Sequence, residues 1–303
     1  MKLTRRTFFK VTAVGAATVA GVATRAEAAQ PVDGASSARG ILVDTTKCIG
    51  CRACEAACAE ANALDPPDWS DEMSYSAPRR LSDKQWTVVN RYASSGGEVF
   101  VKTQCMHCVQ PACAAACLTK ALERNESGAV VWNGNRCMGC RFCMVACPYD
   151  VPKFEYDSWN PRIQKCRLCA ERVREGRSPA CVENCGGGAL TFGKREDLLQ
   201  LARERIYRTP GEYVPRIYGA DDVGGTSWLY ISRVPFEKLG FRTDLGTTPI
   251  PETTRDFLTA VPLVLIAWPA MLLALRGATA APEPAEAAGH GEVQPVPPGE
   301  EEN

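Results

Sequence analysis

The sequence predicts an α+β fold made of two similar halves, each carrying two cysteine groups, with one apolar helix near the carboxy terminus. Three observations carry this. All sixteen cysteines fall into four tight quartets, and none is left over. Short β-rich runs and turns lead into the quartets or follow them. A stretch of 19 uncharged residues, Phe257 to Leu275, stands near the end of the chain.

The clearest quartet is Cys137, Cys140, Cys143 and Cys147, spaced C-x2-C-x2-C-x3-C and followed by Pro148. This is the bacterial-ferredoxin run, in which three thiolates hold one iron–sulfur cube and the fourth ligates a second. Thiolates at every third residue let a tight loop wrap a cube. Gly139 eases the turn because it tolerates positive φ, and the last gap puts Cys147 about one helical turn beyond Cys143. Cys48, Cys51, Cys54 and Cys58 repeat the spacing. In Cys105, Cys108, Cys113 and Cys117 the middle gap widens to x4, and in Cys166, Cys169, Cys181 and Cys185 to x11. Sixteen thiolates are enough for four 4Fe–4S clusters, with iron as the metal throughout. A zinc-bound or disulfide-stapled structural protein is the competing class. A third cysteine is surplus to a zinc knuckle, and stapled scaffolds spread their cysteines rather than crowding them.

Lysine plus arginine equals aspartate plus glutamate at 35 each, so net charge points to no nucleic-acid partner. Oxidised cubes with four thiolates would add about −2 each. Lys47, Arg52, Lys102, Arg136, Arg141, Lys165 and Arg167 all lie beside quartet cysteines in sequence and are candidates to offset that charge. The chain has two histidines. His107 sits inside a complete quartet and reads as a neighbour that tunes a cluster, and His290 lies in the tail. No Ser-His-Asp set or carboxylate pair appears, so no catalytic residue is assigned.

Taken in order, Thr4-Arg5-Arg6-Thr7-Phe8-Phe9-Lys10 resembles a twin-arginine export signal, with an apolar stretch from Val11 to Ala23 and a small-residue cleavage site at Ala26-Glu27-Ala28. Residues 1–28 are therefore set apart from the fold. The four-quartet domain spans 29–193 and contains a polar insertion, 59–104. Strands are predicted at Ile41–Asp44, Trp86–Val89, Val99–Val101, Ala129–Trp132 and Ala189–Phe192, with Gly96-Gly97 as a hairpin turn. An extension, 194–256, holds an amphipathic helix from Lys194 to Arg208 and a strand at Trp228–Ile231. Residues 257–275 cover roughly 28 Å as a helix, close to the hydrocarbon thickness of a bilayer. Pro262 and Pro269 are tolerated in such a helix. The tail, 276–303, is rich in Ala, Pro, Gly and Glu and is predicted to be disordered.

The motifs Cys105-Met106-His107-Cys108, Cys140 to Tyr149 and Val223-Gly224-Gly225-Thr226 resemble the four-cluster iron–sulfur subunits of membrane-bound respiratory oxidoreductases. The twin arginine, the carboxy-terminal anchor and Val234-Pro235-Phe236-Glu237 are similar to the HybA-type subunits of periplasmic nickel–iron hydrogenase. The x11 gap with Ser178 to Val182, and Trp86-Thr87-Val88, are similar to the beta subunits of formate dehydrogenase-N. A molybdenum reductase of the dimethyl sulfoxide or polysulfide type is a further alternative. The resemblance implies an α+β fold of two pseudo-symmetric ferredoxin-like 4Fe–4S dicluster modules plus one C-terminal transmembrane helix. It implies a nested set of ligands. Cys48, Cys51, Cys54 and Cys185 hold cluster 1, and Cys58, Cys166, Cys169 and Cys181 hold cluster 2. Cys105, Cys108, Cys113 and Cys147 hold cluster 3, and Cys117, Cys137, Cys140 and Cys143 hold cluster 4. Spacing alone does not select this pairing. Leu118 and Gly186 depart from the family, which usually has Pro after the last cysteine. The implied function is a non-catalytic electron relay at the periplasmic side of the bacterial inner membrane. Its implied partners are a catalytic subunit, bearing nickel–iron or molybdenum/tungsten, an integral-membrane quinone-reactive subunit, and the lipid bilayer.

Overall fold

The computed structural model describes residues 38–67, 75, 77–94 and 96–279. The predicted export signal and most of the predicted disordered tail lie outside the described residues. Two units emerge, one ending at Thr254 and one beginning at Arg255.

In the first unit, the centre is a three-stranded sheet in the order β8-β1-β9, formed by β1 (Arg39–Asp44), β8 (Leu190–Lys194) and β9 (Trp228–Ile231). Strand β1 runs antiparallel to β8 and parallel to β9. Its residues Ile41, Leu42 and Val43 are buried on both faces, which explains the unbroken apolar run. Ile41 and Val43 join Trp228, Tyr218, Tyr230 and Phe236 in the main core. Leu42 packs with Leu198 and Ala202 of the helix Arg195–Arg208. The extension predicted at 194–256 therefore completes the sheet that β1 opens. Buried Asp44 ties these parts together. One of its oxygens accepts from the Thr46 amide and hydroxyl, the other from Arg205 and the Tyr213 hydroxyl.

Between β1 and β8 the chain makes three two-stranded ribbons. The first pairs β2 (Val88–Ser94) with β3 (Gly97–Thr103). The sequence places this first strand two residues early. Trp86 and Thr87 are buried but turn away from the ladder, the indole donating to Asp83 O and the Thr87 hydroxyl to Thr103 O. The second ribbon pairs β4 (Leu122–Arg124) with β5 (Val130–Trp132), and the third pairs β6 (Lys153–Phe154) with β7 (Ile163–Gln164).

The helices that carry cysteines are short, as tight wraps require. The helix that carries the last two cysteines of the first quartet, Ala53–Ala61, packs on Ala180–Glu183 in the fourth. The helix Ala112–Ala115 of the second packs on Phe142–Ala146 of the third. The outer quartets are thus bracketed by β1 and β8, and the inner two are linked by β4 and β5.

The second unit contains the helix Arg255–Thr279, 25 residues long and continuous through Pro262 and Pro269. It extends the predicted span at both ends. Together with the turn before it, Ile250–Thr279 is long and apolar enough to cross a membrane.

Buried Glu55 joins the polar insertion to the first quartet. Its carboxylate accepts from Arg79, the Val89 amide and Gln85 Nε2. Removing one partner of a buried ion pair strands the other groups. Glu55→Ala is expected to cost about 3 kcal/mol, measured as a lowered denaturant midpoint.

Candidate functional site

The cysteine wraps depend on backbone that few residues adopt. Gly50 and Gly139 share φ 72°, and Arg52 and Arg141, two residues on, have φ 58° and 59°. His107, Leu168 and Cys169 are also left-handed, at 48°, 53° and 46°. Non-glycine residues pay roughly 1–2 kcal/mol each for this conformation. Such strain persists where the surroundings over-determine it, and it concentrates at functional sites. A left-handed residue beside right-handed ones turns successive backbone N–H groups toward one concavity, a nest of the kind that binds anionic iron–sulfur groups.

All sixteen cysteines are free thiols. The fold divides them into four mixed sets. Cys48, Cys51, Cys54 and Cys185 line one cavity, together with Lys47, Arg52 and Lys102. Cys58, Cys166, Cys169 and Cys181 line a second, with Lys102 and Arg167. Cys117, Cys137, Cys140 and Cys143 line another, with Arg141. Around half-buried Cys108 the neighbouring thiols are Cys105, Cys147 and Cys113. In each quartet the fourth cysteine crosses to the partner quartet's set. Helix geometry explains how: Cys54 and Cys58 are four residues apart on one helix, so their Cβ atoms are about 5–6 Å apart, yet they serve adjacent cavities.

Such a cage opposes ionisation unless a cation arrives. Burial pushes the Cys54, Cys58 and Cys113 thiols from 9.0 up to about 12, and neighbouring thiolates add to the effect. For Cys143 and Cys147 burial gives about 11. Cys117 moves the other way: burial is outweighed by the Thr119 hydroxyl and the Leu122 and Ala121 amides, which lower its pKa. The Ala121 amide lies 3.2 Å from its sulfur. Elsewhere the Leu168 amide donates to Cys166 Sγ at 3.4 Å and Asn62 Nδ2 to Cys58 Sγ at 3.7 Å. Four-thiol cages with inward amides and nearby cations fit an iron–sulfur cube, whose iron supplies the positive charge the thiolates need.

Sequence reasoning identified every cysteine but missed several neighbours. Asn62 is legible in principle, since it lies four residues beyond Cys58 at the end of the same helix. Arg124 carried no local signal. Its Nε and one terminal nitrogen are buried without hydrogen-bond partners, and Cys108 is the thiol it faces. His107 is fully buried, and its Nδ1 accepts from the Val130 amide at 2.8 Å, placing the proton on Nε2. Burial, helped by Lys165 and Arg124, holds its pKa well below the ordinary value, so the imidazole is neutral.

A 4Fe–4S dicluster domain model matches residues 98–195. A protein of Nitratidesulfovibrio vulgaris is 47% identical over 262 residues, covering 84% of this chain and 71% of its own length. The hydrogenase-2 operon protein HybA of Escherichia coli is 34% identical over 275 residues, with 78% and 83% coverage. The formate dehydrogenase-O iron–sulfur subunit of Escherichia coli is 36% identical over 197 residues, with 63% and 65% coverage.

The raised thiol values set a pH dependence for the iron-free chain. Between 9.0, the ordinary thiol value, and about 12, the folded chain keeps protons that the unfolded chain has lost. This contribution to stability is complete below 9.0 and is lost as pH rises through about 12. Iron-stripped protein is therefore expected to show a falling urea midpoint across that window, while protein with iron-bound thiolates does not follow the same curve.

Proposed function

The chain belongs to the family of the hydrogenase-2 operon protein HybA and is an electron-transfer iron–sulfur subunit, and from that premise we propose that it relays electrons between a periplasmic catalytic subunit and a quinone-reactive membrane subunit. A nickel–iron hydrogenase is the favoured catalytic partner. The observation that supports this choice is coverage: similarity to HybA takes in 83% of that relative, against 65% for the formate dehydrogenase-O subunit. A formate dehydrogenase partner is the second reading, favoured by the slightly higher identity of the shared core, 36% against 34%.

We assign four clusters, one to each mixed cysteine set. Cys48, Cys51, Cys54 and Cys185 hold the first, and Cys58, Cys166, Cys169 and Cys181 the second. Cys105, Cys108, Cys113 and Cys147 hold the third, and Cys117, Cys137, Cys140 and Cys143 the fourth. The shared cavities and thiol neighbourhoods support this assignment. When bound, each cluster accepts and releases one electron. The protein's part is to fix the order and the surroundings of the four positions.

The membrane-side partner is assigned to the region of the fourth set. Two features support it. Leu118, Met138, Phe142 and Val145, all large and apolar, are exposed beside its cysteines. The first unit also ends nearby: the turn Ile250–Thr253 packs on the second-quartet helix Ala112–Ala115, and Gln110 Nε2 donates to Glu252 at 2.8 Å. The apolar helix then anchors the chain in the inner membrane. Export by the twin-arginine route, which carries folded proteins, suits a chain loaded with clusters before it leaves the cytoplasm. The domain plan, with a cleaved segment 1–28, a cluster domain, an anchor and a tail, completes the proposal.

Two measurements test it. Anaerobically isolated full-length protein should carry on the order of sixteen iron atoms per chain and give paramagnetic signals after dithionite. Colourless protein with S–S bonds would overturn it. Material extracted from membranes in detergent should retain a nickel-containing partner, and molybdenum or tungsten instead would select the second reading.

A further inference from the structure

Lys102 is a lysine buried to 3% exposure. It lies on β3 in the insertion, three residues before Cys105, and it lines both the first and the second cysteine cavity. An ammonium group has three donors. Two of the three are placed, on Thr87 Oγ1 and on Gln104 Oε1.

These acceptors are themselves fixed. The Thr87 hydroxyl spends its own proton on Thr103 O, leaving a lone pair for Lys102. Gln104 Nε2 donates to the Tyr230 hydroxyl, which donates on to Lys102 O. The Trp228 ring stands 4.8 Å from the ammonium nitrogen. Every group hydrogen-bonded to the ammonium is neutral, and among the described residues no carboxylate forms an ion pair with it.

A buried charge without a counter-charge is costly. The groups that face Lys102 across the two cavities are the sulfurs of Cys181, Cys54, Cys166 and Cys58, which are anionic when they hold iron. Cys54 belongs to the first cavity, and the other three belong to the second.

We propose that Lys102 is a fixed positive charge shared by the first and second clusters, which raises the reduction potential of both. This rests on the ligand assignment above. Each cluster gains one negative charge on reduction, so a buried cation beside it stabilises the reduced form, and low local dielectric strengthens the effect. Lys165 is the counterpart for the inner quartets. It is also buried, and its ammonium donates to Val130 O and Cys166 O, with the thiols of Cys113 and Cys147 in its field. Lys102 is a positioning charge and touches no substrate.

The test is a potentiometric titration of the full-length, cluster-loaded protein in detergent, followed by electron paramagnetic resonance. Lys102→Gln should weaken reduction of two clusters at least tenfold, about 59 mV for one electron. The other two should hold, and Lys102→Arg should keep all four near wild type. Lys165→Gln should move a cluster that Lys102→Gln leaves alone. A Lys102→Gln protein with full iron content and unchanged potentials overturns the proposal, as does an equal shift of all four. If Lys102→Gln fails to load iron, full loading of Lys102→Arg supports a need for charge, and failure of both variants overturns it in favour of a purely structural lysine. Iron analysis of the wild type reads the ligand assignment separately, since a wild-type chain without clusters removes both.

Discussion

Thiols crowded in dry surroundings resist ionisation, and this constraint shapes the whole domain. Burial, together with neighbouring thiolates, puts several of them near 11 or 12, far above neutral pH. Three devices answer it. Inward backbone amides solvate the sulfurs at Cys117 and Cys166. Buried Lys102 and Lys165 stand beside the cages and form no carboxylate ion pair among the described residues. Iron, when bound, supplies the rest. None of these devices would help a dry apolar core, so their concentration around the cysteines is evidence for what the cages hold.

The same constraint accounts for the irregular backbone. A thiol cage needs its ligands from a tight wrap, and a tight wrap needs left-handed residues at set positions. Gly50 and Gly139 supply them cheaply. His107 and Leu168 fill the equivalent place before the second cysteine of the other two quartets, at a steric cost their surroundings must cover. Leu168 is buried in the main core, and His107 is held by the Val130 amide. Core packing and hydrogen bonding thus pay for the strain that the cages require.

Much of this was legible in the sequence, because cysteine spacing is local information. The helix ending at Arg208 is legible in its periodicity, and the strand Trp228–Ile231 in a β-rich run that follows Gly224-Gly225. The 19-residue apolar run announced the long helix, which continues beyond it at both ends. What spacing could not express is partnership across long separations. Which cavity the fourth cysteine of a quartet lines depends on tertiary packing, and spacing does not encode it. The parallel pairing of β1 with β9 joins residues nearly two hundred positions apart, and nothing in Leu42 or Leu229 names the other. Likewise Trp86 and Thr87 have strand-forming side chains, yet their hydrogen bonds to Asp83 and Thr103 remove them from the ladder.

The polar insertion shows why composition is a poor guide to importance. Read as a sequence, 59–104 is a surface excursion with a hairpin. In the fold its strands bury Val88, Val89, Val99 and Val101, and its end supplies Lys102 and Gln104. Glu55 reaches out from the first quartet helix to hold it, through Arg79, Gln85 and the Val89 amide. A solvated loop would have no need of a buried carboxylate tether, and a lysine at its base would point to water. Instead the tether fixes the hairpin so that its one fully buried cation faces two cysteine cages. The insertion is therefore part of the electrostatic wall of the site. Glu55 is paired with Arg79 of the insertion, whereas Lys102 forms no carboxylate ion pair among the described residues, so its charge is directed at the two cysteine cavities.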